Sequence, residues 1–239
     1  MATKLMSLTG VDVLSDSTTR QMTLGSYAES SDGRGWRYGL VGATALVPGK
    51  SYQSAALDAT NQTVSGGFAV AAASLGATSV VTTVNLTLAA NLVADGYLSV
   101  NVTPGLGQLY RIKGNTAAAA GVCTFTLEDP IRVALTTASR VIVVRHPYSG
   151  MVVEPGTPTG VICGVASHIV TAAQFGWIQT FGPASVQFTG TGAAGKAVGS
   201  LSGGTSGSSA PAIAATNILG YHMATGITAE YAFVFLTIH

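Results

Sequence analysis

Charged side chains are scarce in this chain of 239 residues. Asp, Glu, Lys and Arg together make up 9% of it, against about 25% in an ordinary soluble domain. A monomer usually needs a charged coat to remain soluble, so the composition favours a protein whose surface is largely covered by other subunits. The alternative is a monomer with a Ser, Thr and Asn surface. The net charge of +1 argues against a nucleic-acid or anionic-membrane partner, and we expect neither.

The few charges are also unevenly placed. Between Gly156 and His239 the only Lys, Arg, Asp or Glu residues are Lys196 and Glu230. This asymmetry predicts that the C-terminal third is the part of the chain most extensively covered by subunit contacts.

Long apolar runs are missing as well. No stretch of about 18 apolar residues occurs, which argues against a membrane-spanning helix. The first ten residues, MATKLMSLTG, lack the basic and apolar segments of a signal peptide. The only cysteines, Cys123 and Cys163, lie in apolar strand-like runs. We expect two buried free thiols rather than a disulfide or a zinc site, and we expect no cofactor.

Glycine and β-branched residues dominate what is present. The chain has 30 glycines, which permit tight turns, and its many Val and Thr residues suit pleated sheets. The runs GYLSVNVT (96–103), IRVAL (131–135) and RVIVVRH (140–146) are typical of strands. The run NTAAAAG (115–121) is interpreted as a loop between strands.

These patterns predict an all-β protein in three parts. An extended N-terminal arm covers residues 1–35. A β-barrel or sandwich is built from residues 36–72 plus 150–239, and a second β module, residues 73–149, is inserted into it. Closed or covered sheets suit the low charge because they leave no exposed edges.

Two stretches of the C-terminal third resemble each other. GVASHIVTAAQFGWIQ (164–179) and GYHMATGITAEYAFVFL (220–236) share a leading Gly, a Thr-Ala pair, an amide or acid and two aromatics in the same order. One interpretation is a pair of similar β-arches in one barrel. The other is coincidence in a chain with a small residue vocabulary.

The residues argue against a serine-protease chemistry. HIVTAAQF (168–175) and GTSGSSAP (204–211) are similar to the histidine and nucleophile segments of chymotrypsin-like proteases. The position that requires a histidine is Gln174, and glutamine cannot act as a general base. No Asp or Glu lies between the two segments. We therefore expect no enzymatic activity.

The stretch DGRGWRYG (32–39) concentrates two of 11 basic residues and one of two tryptophans. Aromatic side chains in a β protein are most often core or interface anchors, although they also line sugar-binding grooves. Aromatics and arginines are accordingly predicted to make capsid or subunit contacts at eight positions: Arg34, Trp36, Arg37, Tyr38, Phe175, Trp177, Tyr231 and Phe233.

Residues 30–239 resemble small structural head proteins of tailed bacteriophages. The resemblance rests on DGRGWRYGLVGATALVPGKSYQSA (32–55), and ILGYHMATGITAEYAFVFLTIH (218–239) is similar to the β-barrel ends of capsid decoration, or cement, proteins. It implies a protein made in the host cytoplasm that joins the virion as a homotrimer and clamps neighbouring major capsid subunits. The missing helical periodicity argues against the major capsid protein itself. The alternative is a tail or receptor-binding (glycan-binding) virion β protein.

Overall fold

The computed structural model describes residues 6–7, 12–200, 207–212, 217–227 and 229–238. Within these ranges the chain is all-β, as predicted, and none of it forms a helix. The same ranges therefore hold no helix that could cross a membrane. The strands, in chain order, are β1 (Met6–Ser7), β2 (Tyr27–Glu29), β3 (Gly35–Val41), β4 (Ser51–Gln53), β5 (Phe68–Ala69), β6 (Ser79–Val81), β7 (Leu86–Leu88), β8 (Tyr97–Val102), β9 (Leu109–Asn115), β10 (Ala118–Gly121), β11 (Thr124–Leu127), β12 (Arg140–Val144), β13 (Ser149–Val153), β14 (Ile162–Val165), β15 (Phe175–Phe188), β16 (Ala197–Ser200), β17 (Ser209–Pro211), β18 (Ile218–His222) and β19 (Glu230–Thr237).

The chain divides into two compact units. Unit 1 consists of Met1–Ala56 and Pro147–His239, and unit 2 is Leu57–His146. An inserted module was predicted, but its first boundary lies 16 residues earlier than the predicted residue 73. The reason is that β5 pairs with β12 of the same unit, through Phe68 and Ala69.

Five strands of unit 1 close into a first ring. The strands β3, β13, β4, β14 and β15 pair in that order, and β3 pairs back to β15. Side chains alternate between the inside and the outside of such a ring. Large apolar side chains fill the interior, among them Tyr52, Met151 and Ile178. One buried free thiol, Cys163, belongs to the same cluster.

A second ring uses the other half of β15. From β15 the pairings run through β17, β16, β18 and β19 and return to β15. The 14 residues of β15 pair with β3 along the first half and with β19 from Phe181 onward. Phe188, Leu219 and Leu236 fill the interior of this ring. The predicted barrel or sandwich is thus a pair of rings that share one strand.

The two similar stretches form the same arch, one in each ring. An isolated bridge pairs Val170 with Leu46 in the first arch and Gly226 with Gly192 in the second. An alanine with positive φ then precedes the long strand, Ala173 at 58° and Ala229 at 66°. Both pairs of equivalent positions are 56 residues apart. The interpretation as two similar β-arches is confirmed, although the arches lie in neighbouring rings rather than in one barrel.

The second ring encloses a histidine. His222 of β18 is 3% exposed, and its imidazole meets the Phe188 ring edge to face at a centroid distance of 4.7 Å. Neither Nδ1 nor Nε2 has a hydrogen-bond partner among the described residues. Gly192 faces the imidazole, and a Cβ at that position would collide with Nε2. Burial lowers the pKa of His222, so the interior favours the neutral ring.

A buried carboxyl connects segments of both rings. Glu154 follows β13 and is 2% exposed. Its Oε1 accepts a hydrogen bond from Asn217 Nδ2 at 2.9 Å, and its carbonyl accepts one from the Gly207 N–H at 2.8 Å. Burial raises the pKa of this carboxyl, and the Asn217 amide and the hydroxyls of Ser51 and Ser200 partly offset the rise.

Unit 2 curls one six-stranded sheet on itself. Its order is β5, β12, β8, β9, β11 and β6. The edge strands of this sheet are β5 and β6. Val70, directly after β5, forms an isolated bridge with Thr82, directly after β6, and this bridge brings the two edges together. The core includes Leu98, Ile112 and Phe125, together with the free thiol of Cys123.

Two local predictions for unit 2 were wrong. The NTAAAAG segment is not a loop, because residues Ala118–Gly121 form β10 and pair with β7. The IRVAL segment is not a strand, because only Leu135 makes a bridge, to Ala73. The pairing of β10 with β7 has a register shift between Ala119 and Gly121, and a run of alanines, which are weak strand formers, does not reveal such a pairing.

Candidate subunit interface

The aromatic residues of β3 and β15 are buried within the protomer. Trp36, Tyr38 and Trp177 are 1%, 3% and 4% exposed. They pack in one cluster with Leu24 and Ala28, which belong to the predicted arm. The described part of the arm is therefore not a free extension, since β2 pairs with β3 and Leu24 and Ala28 pack against these rings. Their predicted contacts with another subunit stay a prediction, and in this structure they anchor the arm.

The two arginines of DGRGWRYG use their guanidinium groups inside the chain. Arg34 Nε lies 2.7 Å from Asp32 Oδ2, and Arg34 Cζ lies 5.1 Å from the Trp36 ring centroid. Arg37 Nη1 donates to the carbonyl of Gly25 at 2.9 Å, and Arg37 Cζ lies 5.4 Å from the ring centroid of Tyr27. Both side chains thus fasten the start of β3, and their pairing with acids of another subunit stays a prediction.

Phe175 begins β15 beside these arm contacts. Its ring stacks on Tyr38 with a centroid distance of 5.9 Å and an interplanar angle of 9°. It is half-buried, so one side of the stacked pair is reachable from solvent.

The remaining predicted aromatics, Tyr231 and Phe233, lie on the outside of the second ring. They are 56% and 62% exposed. In β19 the residues Ala232, Val234 and Leu236 point inward, so alternation directs Tyr231, Phe233 and Phe235 outward. Three aromatic residues thus lie on the outer side of β19, and Phe235, the least exposed of them, packs edge to face against Phe181 at a centroid distance of 5.3 Å.

The neighbouring strand β18 extends this row of side chains into a face. Tyr221 pairs directly with Phe235, and the Met223 N–H donates to the carbonyl of Phe233 at 2.9 Å. Tyr221 and Met223 are each 49% exposed. We call these outward side chains the aromatic face; its members are Tyr221, Met223, Tyr231, Phe233 and Phe235.

Uncharged residues border the aromatic face on β15. The partners of Tyr231 and Phe233 across the sheet are Gln187 and Ser185. Tyr231 also leans over Gly49 of unit 1, where a Cβ would collide with its ring. Exposed apolar patches of this kind mark contact sites far more often than single exposed residues do.

A shallow cleft lies between the arm and the first ring. It has a volume of about 250 Å³, and Asp12, Asp16 and Gln21 line it together with Tyr38 and Phe175. The Thr171 N–H donates to Asp16 Oδ2 at 2.9 Å, and hydrogen bonds from Thr171 lower the pKa of Asp16. Acids, an amide and aromatic rings thus meet at one place, which the sequence did not predict.

Groups suited to metal binding are not assembled among the described residues. No three His, Cys, Asp or Glu side chains lie close enough to hold a metal ion there. Burial raises the pKa of the Cys163 thiol, which disfavours the reactive thiolate. His168 Nδ1 lies 3.4 Å from Oγ of Ser167, its neighbour in the chain. Ser206 of the protease-like segment lies outside the described residues.

Sequence reasoning found two of the five members of the aromatic face. The alternating pattern of EYAFVF (230–235) contains the signal for Phe235. Tyr221 joins the face through the pairing of β18 with β19, and Met223, directly after β18, joins it through its backbone hydrogen bond to Phe233; the sequence does not specify these contacts.

Comparison with family models, curated proteins and solved structures gave no match for this chain.

Proposed function

We propose that the protein is a structural component of a tailed-phage virion that binds the outer capsid surface and cements neighbouring major capsid subunits. The observation that carries the proposal is the aromatic face, an exposed apolar surface in the part of the chain with the fewest charges. Many copies, each burying a modest apolar patch, hold subunit junctions together without any one contact being strong. The low overall charge suits a chain that works inside an assembly.

The two-ring architecture supports the same function. Among the described residues, every strand of each ring has a paired neighbour on both sides, although β14–β15 and β15–β17 each pair through a single residue pair. Closed sheets resist edge-to-edge aggregation, which matters for an apolar protein present at high copy number. The homotrimer implied by the resemblance stays a prediction.

Copy number in purified virions tests this function. We expect hundreds of copies, in a simple ratio to the major capsid protein, by quantitative protein staining. Purified protein should also cosediment with capsids, and Phe233→Ser should reduce this binding at least tenfold. Ile169→Ser is the matched control, because Ile169 is 66% exposed but lies outside the aromatic face. Absence from the particle would refute the proposal.

The arm cleft favours a second candidate, a glycan-binding tail or receptor-binding virion protein. Asp12, Asp16 and Gln21 provide hydrogen-bonding groups beside the half-buried Phe175 ring, the combination that holds sugar hydroxyls and an apolar sugar face. A glycan array with wild type and Gln21→Ala tests it. Binding that the variant loses, together with a few to a few dozen copies per virion, would favour this candidate over cementing.

A further inference from the structure

We propose that a cavity at the junction of the two rings receives the carboxylate of an acidic side chain from a capsid subunit, with Arg34 as its ionic partner. This inference rests on the proposed function, because it names the chemical group that the partner offers beside the aromatic face. It also separates the two arginines of DGRGWRYG, since Arg34 lines the cavity and Arg37 does not.

The cavity lies in unit 1, where β15 passes from the first ring to the second. It has a volume of about 220 Å³, and we call it the junction cavity. Its polar lining consists of Arg34, Ser167, Gln179 and Ser185, and Tyr231 of the aromatic face lines it as well. A concave site with a few converging polar groups is the usual form of a binding site.

Arg34 is held in place and still has donors to offer. Its Nε lies 2.7 Å from Asp32 Oδ2, and its Cζ lies 5.1 Å from the Trp36 ring centroid. A Cβ on Gly182 of β15 would lie only 3.1 Å from the Arg34 Cα, so the two backbones are in close contact. Neither Nη1 nor Nη2 donates to an acceptor among the described residues. A guanidinium fixed in this way can present both Nη groups to one carboxylate.

Two serines and an amide complete the polar lining. Ser185 Oγ makes no hydrogen bond to the described residues, and Ser167 Oγ has only a contact of 3.4 Å with the neighbouring imidazole. Hydroxyl groups can donate to carboxylate oxygens. Gln179 is 3% exposed, and its Nε2 donates to two backbone carbonyls of β15 at 3.1 and 2.8 Å. Its Oε1 accepts no hydrogen bond from the described residues, which leaves an acceptor for an N–H of the partner chain.

The size and position of the cavity favour a protein side chain over a free small anion. Sites for small molecules usually measure about 300–1,000 Å³, more than the junction cavity offers. Tyr231 belongs to both the cavity and the aromatic face, so the two surfaces are continuous. The lining contains a cation and no carboxylate, so an acidic group on the partner is complementary to it.

Titration of the purified full chain with N-acetyl-glutamate amide, followed by heteronuclear NMR, tests the cavity without capsids. We expect saturable shifts at Ser167 and Ser185, and Arg34→Gln should weaken the binding at least tenfold. Arg132→Gln is the matched control, because Arg132 is an exposed arginine of unit 2. Equal binding of the uncharged N-acetyl-glutamine amide, tighter binding of inorganic phosphate, or no saturable binding would overturn the inference.

A charge introduced at Ser185 gives a second test that leaves Arg34 and its contacts in place. Ser185 is exposed on β15, and a carboxylate at this position would repel an incoming one. We expect Ser185→Asp to weaken cosedimentation with purified capsids at least tenfold, whereas Ser185→Asn, similar in size but uncharged, should bind as wild type does. An equal loss in both variants, or no loss in either, would overturn the inference.

The outcomes separate this inference from the proposed function. Capsid binding that Arg34→Gln and Ser185→Asp both leave intact would overturn the role of the cavity and leave the cementing function standing. Binding of N-acetyl-glutamate amide that depends on Arg34, by a protein absent from virions, would support the carboxylate site and refute the cementing function.

Discussion

The enclosed imidazole of His222 should make the second ring sensitive to acid. The folded protein holds this histidine neutral, because burial lowers its pKa below the ordinary value of 6.5. The unfolded chain therefore takes up a proton at a higher pH than the folded chain. Stability from the neutral ring is fully present above about pH 6.5 and is lost as the pH falls below that value.

The size of the effect has an upper limit set by one proton. The free energy of unfolding can fall by at most about 1.4 kcal/mol per pH unit from this residue. At pH 5.5 the loss reaches at most about 1.4 kcal/mol, when the folded state takes up no proton at all. Charged side chains beside the described strands of the second ring include Lys196, Glu230 and the buried Glu154, whose Oε1 accepts a hydrogen bond from Asn217 next to β18. Glu230 begins β19 and Lys196 directly precedes β16, and both are exposed, so water and salt weaken their effect on the imidazole.

Urea unfolding of wild type and His222→Leu between pH 8 and pH 5 measures how the free energy of unfolding depends on the His222 proton. Leu cannot titrate, and it removes two buried nitrogens that lack hydrogen bonds, each costing about 1–3 kcal/mol. We expect the variant to match or exceed wild type at pH 8 and to gain on it steadily below pH 6.5. The difference between the two curves cancels the other histidines, including His168. A flat difference across this range would refute the reasoning.

Three further predictions concern other positions. Glu154→Gln should be more stable than wild type at pH 7.5 by urea unfolding, and this advantage should vanish toward pH 4.5. The reason is that a carboxyl with a raised pKa stabilises the folded state only while it stays protonated. An advantage that is the same at both pH values would contradict the prediction. Trp36→Ala should cost about 3–5 kcal/mol in chemical denaturation, as its ring is 1% exposed, and a cost below about 1 kcal/mol would show that the arm does not depend on it. Gly49→Ala should lower Tm more than Gly195→Ala does: both glycines have φ near +78°, but only Gly49 faces a ring, that of Tyr231. Equal effects on Tm would show that the contact between Gly49 and the Tyr231 ring does not decide the cost of the substitution.

Residue patterns predicted the kind of structure well because they record local requirements. β-branched runs and glycine turns predicted the all-β class, and apolar surroundings predicted the buried thiols of Cys123 and Cys163. The similarity of the two arches was visible as well, since the same turn before a long strand needs the same small residues. Each of these features is decided by neighbours along the chain.

Pairing between distant strands was not predictable in the same way. The shared use of β15 depends on β3 and β19, which lie far from it on either side in the chain. The burial of Trp36 depends on the arm folding back over β3. An exposed strand could have the same alternating sequence, so the sequence does not predict whether Trp36 is buried. The aromatic face was likewise predictable only in part. The alternating pattern of β19 predicts that Tyr231 and Phe233 lie on one side of it, whereas Tyr221 and Met223 reach the face because β18 lies next to β19.

The long strand β15 has a mechanical consequence. At about 3.3 Å per residue, the backbone of its 14 residues measures at most about 45 Å, because the strand has a register shift between Gln179 and Phe181 and a φ of 84° at Gly182. This single backbone forms a wall of both rings. A force applied to one ring is transmitted to the other through the covalent backbone of β15 rather than through noncovalent contacts between the rings. Stretching along this axis loads many ladder hydrogen bonds in shear at the same time, while a pull across it opens them one after another. The protein should therefore resist force far better along β15 than across it.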